Sequence, residues 1–139
     1  MKKVFLLMSV LVGILVVVSS CTQSQPPQTP STQEKGTFRV EVSRHGFNDT
    51  PGEFRLEVEE GQEVEITFVY GDDDLSQNNP HIITIPTYDI STATLDTENL
   101  EDTVSFTASK GGEVSFMCTQ YCVGHANLRR GSIVIQPGR

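Results

Sequence analysis

Residues 64–70 read Val64-Glu65-Ile66-Thr67-Phe68-Val69-Tyr70, with Val64, Ile66, Phe68 and Tyr70 on one parity. A period of two sends successive side chains to opposite faces of an extended chain, so this stretch is a strand with one face turned to a core. The same alternation recurs on both sides of it. Phe38, Val40 and Val42 come before, then Phe54, Leu56 and Val58; after it come His81, Ile83 and Ile85, then Val104, Phe106 and Ala108, then Val114, Phe116 and Cys118, and finally Ile133 and Ile135. Turn chemistry separates the runs at Thr50-Pro51-Gly52, Glu60-Gly61-Gln62, Asn79-Pro80, Lys110-Gly111-Gly112 and Arg130-Gly131. About seven short strands with this spacing, and no amphipathic helix longer than a turn or two, predict an all-β sandwich. Gly71 to Asn79 holds Asp72, Asp73 and Asp74 without apolar alternation, and reads as an exposed loop.

The whole chain has 139 residues and 15.3 kDa, which bounds it to one small domain. It carries 10 Lys and Arg against 18 Asp and Glu, a formal net charge of −8. Such a balance repels phosphate backbones and anionic headgroups, which argues against nucleic acid as a partner and against charge-driven membrane binding. A basic partner is expected instead.

Lys2 and Lys3 precede an apolar stretch from Val4 to Val18 that is broken only by Ser9 and Gly13. This pattern predicts an export signal over residues 1–20, shorter than the roughly 20 apolar residues that a bilayer-spanning helix needs. Val18-Ser19-Ser20-Cys21 resembles a bacterial lipoprotein cleavage site, which makes Cys21 the expected lipidation site and places the protein at the outer face of the cytoplasmic membrane or in the periplasm. Residues 22–36 are rich in Gln, Pro, Ser and Thr and offer no core-forming side chain. Residues 21–36 are thus read as a lipidated tether, and 37–139 as the folded domain. Lipid on Cys21 also leaves Cys118 and Cys122 to be explained together.

Those two cysteines belong to the densest chemistry in the chain: Cys118-Thr119-Gln120-Tyr121-Cys122-Val123-Gly124-His125. Two thiols and an imidazole in so short a span form a soft donor set, which selects copper or zinc over magnesium or calcium. His81 shares the parity of Ile83 and Ile85, and Cys118 that of Val114 and Phe116, so both point inward at a strand end. Together the four side chains offer two sulfurs and two nitrogens. A disulfide between Cys118 and Cys122 and a tetrahedral zinc site are the alternative readings of the same residues. His45 has no visible partner in the sequence and is read as a surface residue.

The arrangement resembles the cupredoxins, and among them the binuclear copper (CuA) domain of cytochrome c oxidase subunit II. The resemblance is carried by His45-Gly46-Phe47 and Pro51, by Val58 to Val64 with Gly61 in the turn, and by His81-Ile82-Ile83-Thr84-Ile85-Pro86. It continues through Phe106 to Gly112 and from Phe116-Met117-Cys118 to Ile135. It implies a Greek-key sandwich in which Cys118 and Cys122 bridge two coppers, His81 and His125 hold one each, and the backbone carbonyl of Gln120 is a weak ligand. Two departures accompany it. Only Val123 and Gly124 separate Cys122 from His125, where the family has three residues, and Leu128 stands where the family has an axial methionine. Counted from Cys122, the spacing Cys-x2-His-x2-Leu resembles instead a mononuclear blue-copper loop with leucine at the axial position, so one and two coppers both remain open.

By this resemblance the chain is an exported, lipid-anchored electron carrier whose partner is a cytochrome c or a haem-copper oxidase. No general base stands beside an open metal position, so it is not expected to be an enzyme by itself. A periplasmic chaperone that delivers copper to an oxidase is the alternative, and a metal-free structural lipoprotein with a disulfide is a third.

Overall fold

The computed structural model describes residues 34–74, 78–109 and 111–138; the predicted signal segment, Cys21 and the tether as far as residue 33 lie outside the described residues. The described residues form nine strands: β1 (Gly36–Ser43), β2 (Gly46–Phe47), β3 (Phe54–Glu59), β4 (Glu63–Tyr70), β5 (Ile83–Ile85), β6 (Ile90–Ser91), β7 (Glu101–Thr107), β8 (Gly112–Cys118) and β9 (Gly131–Gln136). Single 3-10 turns at Pro86–Tyr88 and Asn127–Arg129 are the only helical elements among the described residues.

One sheet has the order β2-β1-β4-β7 and the other β3-β9-β8-β5-β6. Two pairings are parallel: Gly36 to Val42 of β1 runs beside Val64 to Tyr70 of β4, and β3 runs beside β9 with Phe54 opposite Gly131. Parallel neighbours cannot be joined by a hairpin, so each forces a crossover between the sheets and ties the sandwich together in Greek-key fashion. The inward parity of each strand supplies the core. Val40, Val42, Val64, Ile66 and Phe68 from one sheet face Leu56, Val58, Phe116, Ile133 and Ile135 from the other, all buried. Each such side chain removed from water contributes about 1.5–3 kcal/mol before the entropy of ordering is set against it.

Phe116 sits at the centre of an aromatic cluster, with ring centroids 4.7 Å from Phe47, 5.6 Å from Phe68 and 6.3 Å from Phe54. Its partner across the β8–β9 ladder is Gly131, where any Cβ would overlap the Phe116 ring. This pair closes the ladder at one end of the sandwich. The connection after Cys118, the last residue of β8, therefore leaves and re-enters the core at neighbouring points, carrying Cys122 and His125 with it.

Three sequence expectations are corrected. β2 and β6 have two residues each and leave no alternation to read. His81 lies outside β5, which starts at Ile83; it forms an isolated antiparallel bridge with Leu95, with His81 N–H donating to Leu95 O at 2.9 Å and Leu95 N–H returning the bond at 2.8 Å. The segment after Tyr70 is not simply exposed either, since Asp72 and Asn79 are buried. Both are fully engaged in hydrogen bonds, which is the condition under which such groups enter an interior.

Candidate metal centre

Cys118 is the last residue of β8 and pairs with Ile83 of β5, with Thr119 N–H donating to Ile82 O at 2.8 Å beyond it. This register sets the start of β5 beside the end of β8. His81, two residues before Ile83 on the same parity, therefore reaches the Cys118 thiol: His81 Nδ1 is 3.9 Å from Cys118 Sγ. The chain then turns so that Cys122 Sγ comes to 3.6 Å from Cys118 Sγ, and His125 Nδ1 lies 3.8 Å from Cys122 Sγ. Cys118 and Cys122 are both free thiols. His81 is completely enclosed, the thiols nearly so, and His125 is half-buried. The Gln120 carbonyl oxygen is 3.4 Å from Cys118 Sγ.

The four predicted side chains are thus brought together as a series, His81–Cys118–Cys122–His125, each touching the next. Donor atoms of His81, Cys118 and Cys122 all lie within 4.8 Å of one another, and His125 falls outside that set. The spacings fit a metal. With metal–sulfur bonds of about 2.3 Å and metal–nitrogen bonds of about 2.0–2.1 Å, taken from zinc, tetrahedral to trigonal angles put neighbouring donors roughly 3.5–4.0 Å apart. Leu128, fully buried in the same apolar cluster as the two thiols, supplies no donor. His45 is exposed and contributes only its backbone N–H, to Ser43 Oγ at 3.1 Å.

Four devices hold the loop. The carbonyl of Cys122 accepts from His125 N–H at 3.3 Å, and the His125 carbonyl accepts from Leu128 N–H at 3.2 Å, which coils residues 122–128 into tight turns. Gly124 lies at φ +78°, and a Cβ there would run into the Arg44 backbone, so the loop approaches the β1–β2 turn as closely as a main chain allows. Asn127 Nδ2 donates to the Arg44 carbonyl at 2.9 Å. Asn79 makes a two-point clamp, its Oδ1 accepting from Val123 N–H at 2.7 Å and its Nδ2 donating to Val123 O at 3.2 Å.

Behind His81 stands a carboxylate that the sequence reading placed on the surface. Asp72 Oδ2 is 2.9 Å from His81 Nε2 and accepts from Asn79 Nδ2 at 2.7 Å, while Oδ1 accepts from the Arg44 backbone N–H at 2.6 Å and from Arg44 Nε at 3.3 Å. Asp72 and Asn79 were nonetheless findable. The inward parity of β4 runs 64, 66, 68, 70 and, one step further, 72; that of β5 extends backward from 85, 83 and 81 to 79. Continuing each alternation past its last apolar residue lands on both.

The electrostatics favour an anionic sulfur at Cys118 and not at Cys122. A hydrogen bond from Cys122 first, and those from His81 and the backbone after it, outweigh burial and hold the Cys118 thiol down at about 4, while the same contact and burial push Cys122 up. Burial opposes charge on Asp72, but its donors from Arg44, Asn79 and His81 keep it below the ordinary carboxylate range. Burial likewise opposes charge on His81, and the contacts with Cys118 and Asp72 nevertheless raise its pKa.

No protein-family model matches the sequence, and no curated protein is detectably similar to it. Solved structures are similar in shape. Dithionite-reduced auracyanin from the photosynthetic bacterium Roseiflexus castenholzii aligns with a TM-score of 0.56 at 18% identity, over 75% of this chain and 99% of that one. The fold is that of the cupredoxins. A copper binding protein solved by NMR in its apo form aligns with this domain at a TM-score of 0.52 and 24% identity, over 75% of this chain and 92% of its own. A chain of a haem-copper terminal oxidase dimer aligns at 0.54 and 16% identity, over 81% of this chain and 76% of its own.

Proposed function

We propose that the domain is a copper-binding electron-transfer protein, with His81, Cys118, Cys122 and His125 as ligands and the Gln120 carbonyl as a weak further donor. The observation that carries this reading is the contact series of 3.9, 3.6 and 3.8 Å through two sulfurs and two imidazoles. Thiolate and imidazole together suit copper, and copper supplies a one-electron couple at such a site. The chain's contribution is restraint: β5, β8, the Asn79 clamp and the tight turns at 122–128 fix the donors, so little has to move when an electron arrives. His81 and His125 stand at opposite ends of the series, an arrangement that supports two ions sharing both thiolates over a single ion held by all four side chains.

The likeness in fold to auracyanin and to a haem-copper oxidase chain supports a redox partner such as a cytochrome c or an oxidase. The signal-like segment and Cys21 support export and a lipid anchor outside the cytoplasmic membrane. A second reading, delivery of copper itself, is favoured by the half-exposure of His125, which leaves one edge of the series open to an incoming chelating partner.

The test is to reduce the purified protein, load it with copper, count copper per chain and record visible and electron-paramagnetic spectra. Two coppers with one shared unpaired electron are expected. Failure to retain copper with both cysteines reduced would end the proposal, and rapid loss to a weak chelator would turn it toward delivery.

A further inference from the structure

We infer that Asp72 is the positioning residue of this centre, aiming His81 at the thiols and, through Asn79, pinning the loop between Cys122 and His125; this rests on the copper-site reading above. The Asp72 side chain is fully enclosed, and its two oxygens meet four nitrogen groups. Its neighbour Asp73 is exposed and, among the described residues, reaches only Arg44, at 3.8 Å.

A carboxylate accepts hydrogen bonds and donates none. Its contact with His81 therefore requires the proton on Nε2, which leaves Nδ1, the nitrogen facing Cys118, as the atom with a free lone pair whenever the ring is neutral. The same logic orients Asn79. Its Nδ2 must face Asp72, so its Oδ1 is the atom presented to Val123 N–H. One buried anion thereby dictates the orientation of two side chains, one offering a donor to the metal and the other holding the loop that carries the remaining donors. A carboxylate behind a metal-bound imidazole also makes it a stronger base, and its negative charge favours the more oxidised ion.

Asp72→Asn removes one acceptor and adds a donor without changing shape. If the amide oxygen stays on the Arg44 N–H, the new NH2 faces His81 Nε2, and the ring can accept it only by moving its proton to Nδ1. The lone pair that faced the thiols is then gone. Copper affinity should fall by roughly 10- to 100-fold. The reduction potential should rise, by about 59 mV for each tenfold by which the oxidised form is weakened more than the reduced one.

The experiment has a metal-free and a metal-loaded arm, both on the full chain. Long-range nitrogen–proton NMR of the apo protein should show a His81 Nε2–H that exchanges slowly with solvent in the wild type. It should be lost in Asp72→Asn and kept in Asp73→Asn. Chelator competition for Cu(I) and potentiometry then compare the same three proteins. A bare or freely exchanging Nε2 in the wild type overturns the inference even if Asp72→Asn does not fold. So does a wild type that holds copper while Asp72→Asn matches it in affinity and potential, or while Asp73→Asn shifts both equally. A wild type that holds no copper defeats the copper reading, and the NMR arm still judges Asp72.

Discussion

Gly124→Ala isolates what the close approach of the ligand loop to the Arg44 turn is worth. At φ +78° an L-residue with a Cβ is strained by about 1–2 kcal/mol. The added methyl also meets Arg44 Cα and carbonyl carbon at 2.6 and 2.7 Å, backbone atoms that cannot rotate aside. Overpacking against a fixed wall costs about 1–3 kcal/mol more. The protein can take that loss globally, or it can lift the loop off Arg44, in which case Asn127 releases the Arg44 carbonyl and His125 moves with the backbone that carries it. Urea unfolding of the apo protein reads the first outcome, and chelator competition for copper reads the second. A combined loss of about 2–5 kcal/mol is expected across the two. Gly112→Ala, at φ +108° with open space around its would-be Cβ, should cost stability without touching copper affinity. If Gly124→Ala unfolds within 0.5 kcal/mol of wild type, about the scatter of ordinary surface changes, and binds copper equally well, the loop does not depend on that approach and the reasoning fails.

Other outcomes follow from the same geometry. Cys118→Ser and Cys122→Ser should abolish the copper spectrum equally, because each sulfur stands between its partner and an imidazole; a normal blue spectrum surviving in Cys118→Ser would contradict shared thiolates. Leu128→Met should lower the reduction potential if its sulfur reaches copper, since a weak axial donor favours the oxidised ion, and an unchanged potential would show that position 128 is out of reach. Phe116→Ala should cost about 3–5 kcal/mol in urea melts, the range for emptying an aromatic site at the centre of a core. Cys21→Ser should release the protein from membranes or block its processing, and full retention at membranes in processed form would remove the lipid-anchor proposal.

The strands were legible wherever one face was buried and the other wet, because alternation is the direct imprint of that asymmetry. The soft donors were legible by type, since two cysteines and a histidine within eight residues form a compact donor set for a soft metal. What escaped was decided by tertiary contact. Parity sets Asp72 apart from Asp73 but not from Asp74, and its role comes from meeting Arg44 on one stretch of chain and Asn79 and His81 on another. His81 was read into a strand because its parity is right, yet Pro80 before it and the bridge to Leu95 leave it on a single rung ahead of β5. The two-residue strands β2 and β6 exist only because longer neighbours offer them an edge.

The parallel pairing of β3 with β9 has a kinetic consequence. β3 borders no other strand, so it stays unpaired until β9 arrives, and every donor from His81 to His125 lies inside the loop that their meeting closes. Contacts between such distant segments are slow to form, because the entropy of closing the loop is lost before the ladder repays it. Cys122 and His125 sit on the connection into β9, which gains its second anchor only when that strand docks. Changes that slow β3–β9 docking should therefore prolong the exposure of the two thiols to oxidants, and should show first as misoxidised protein and only later as lost stability.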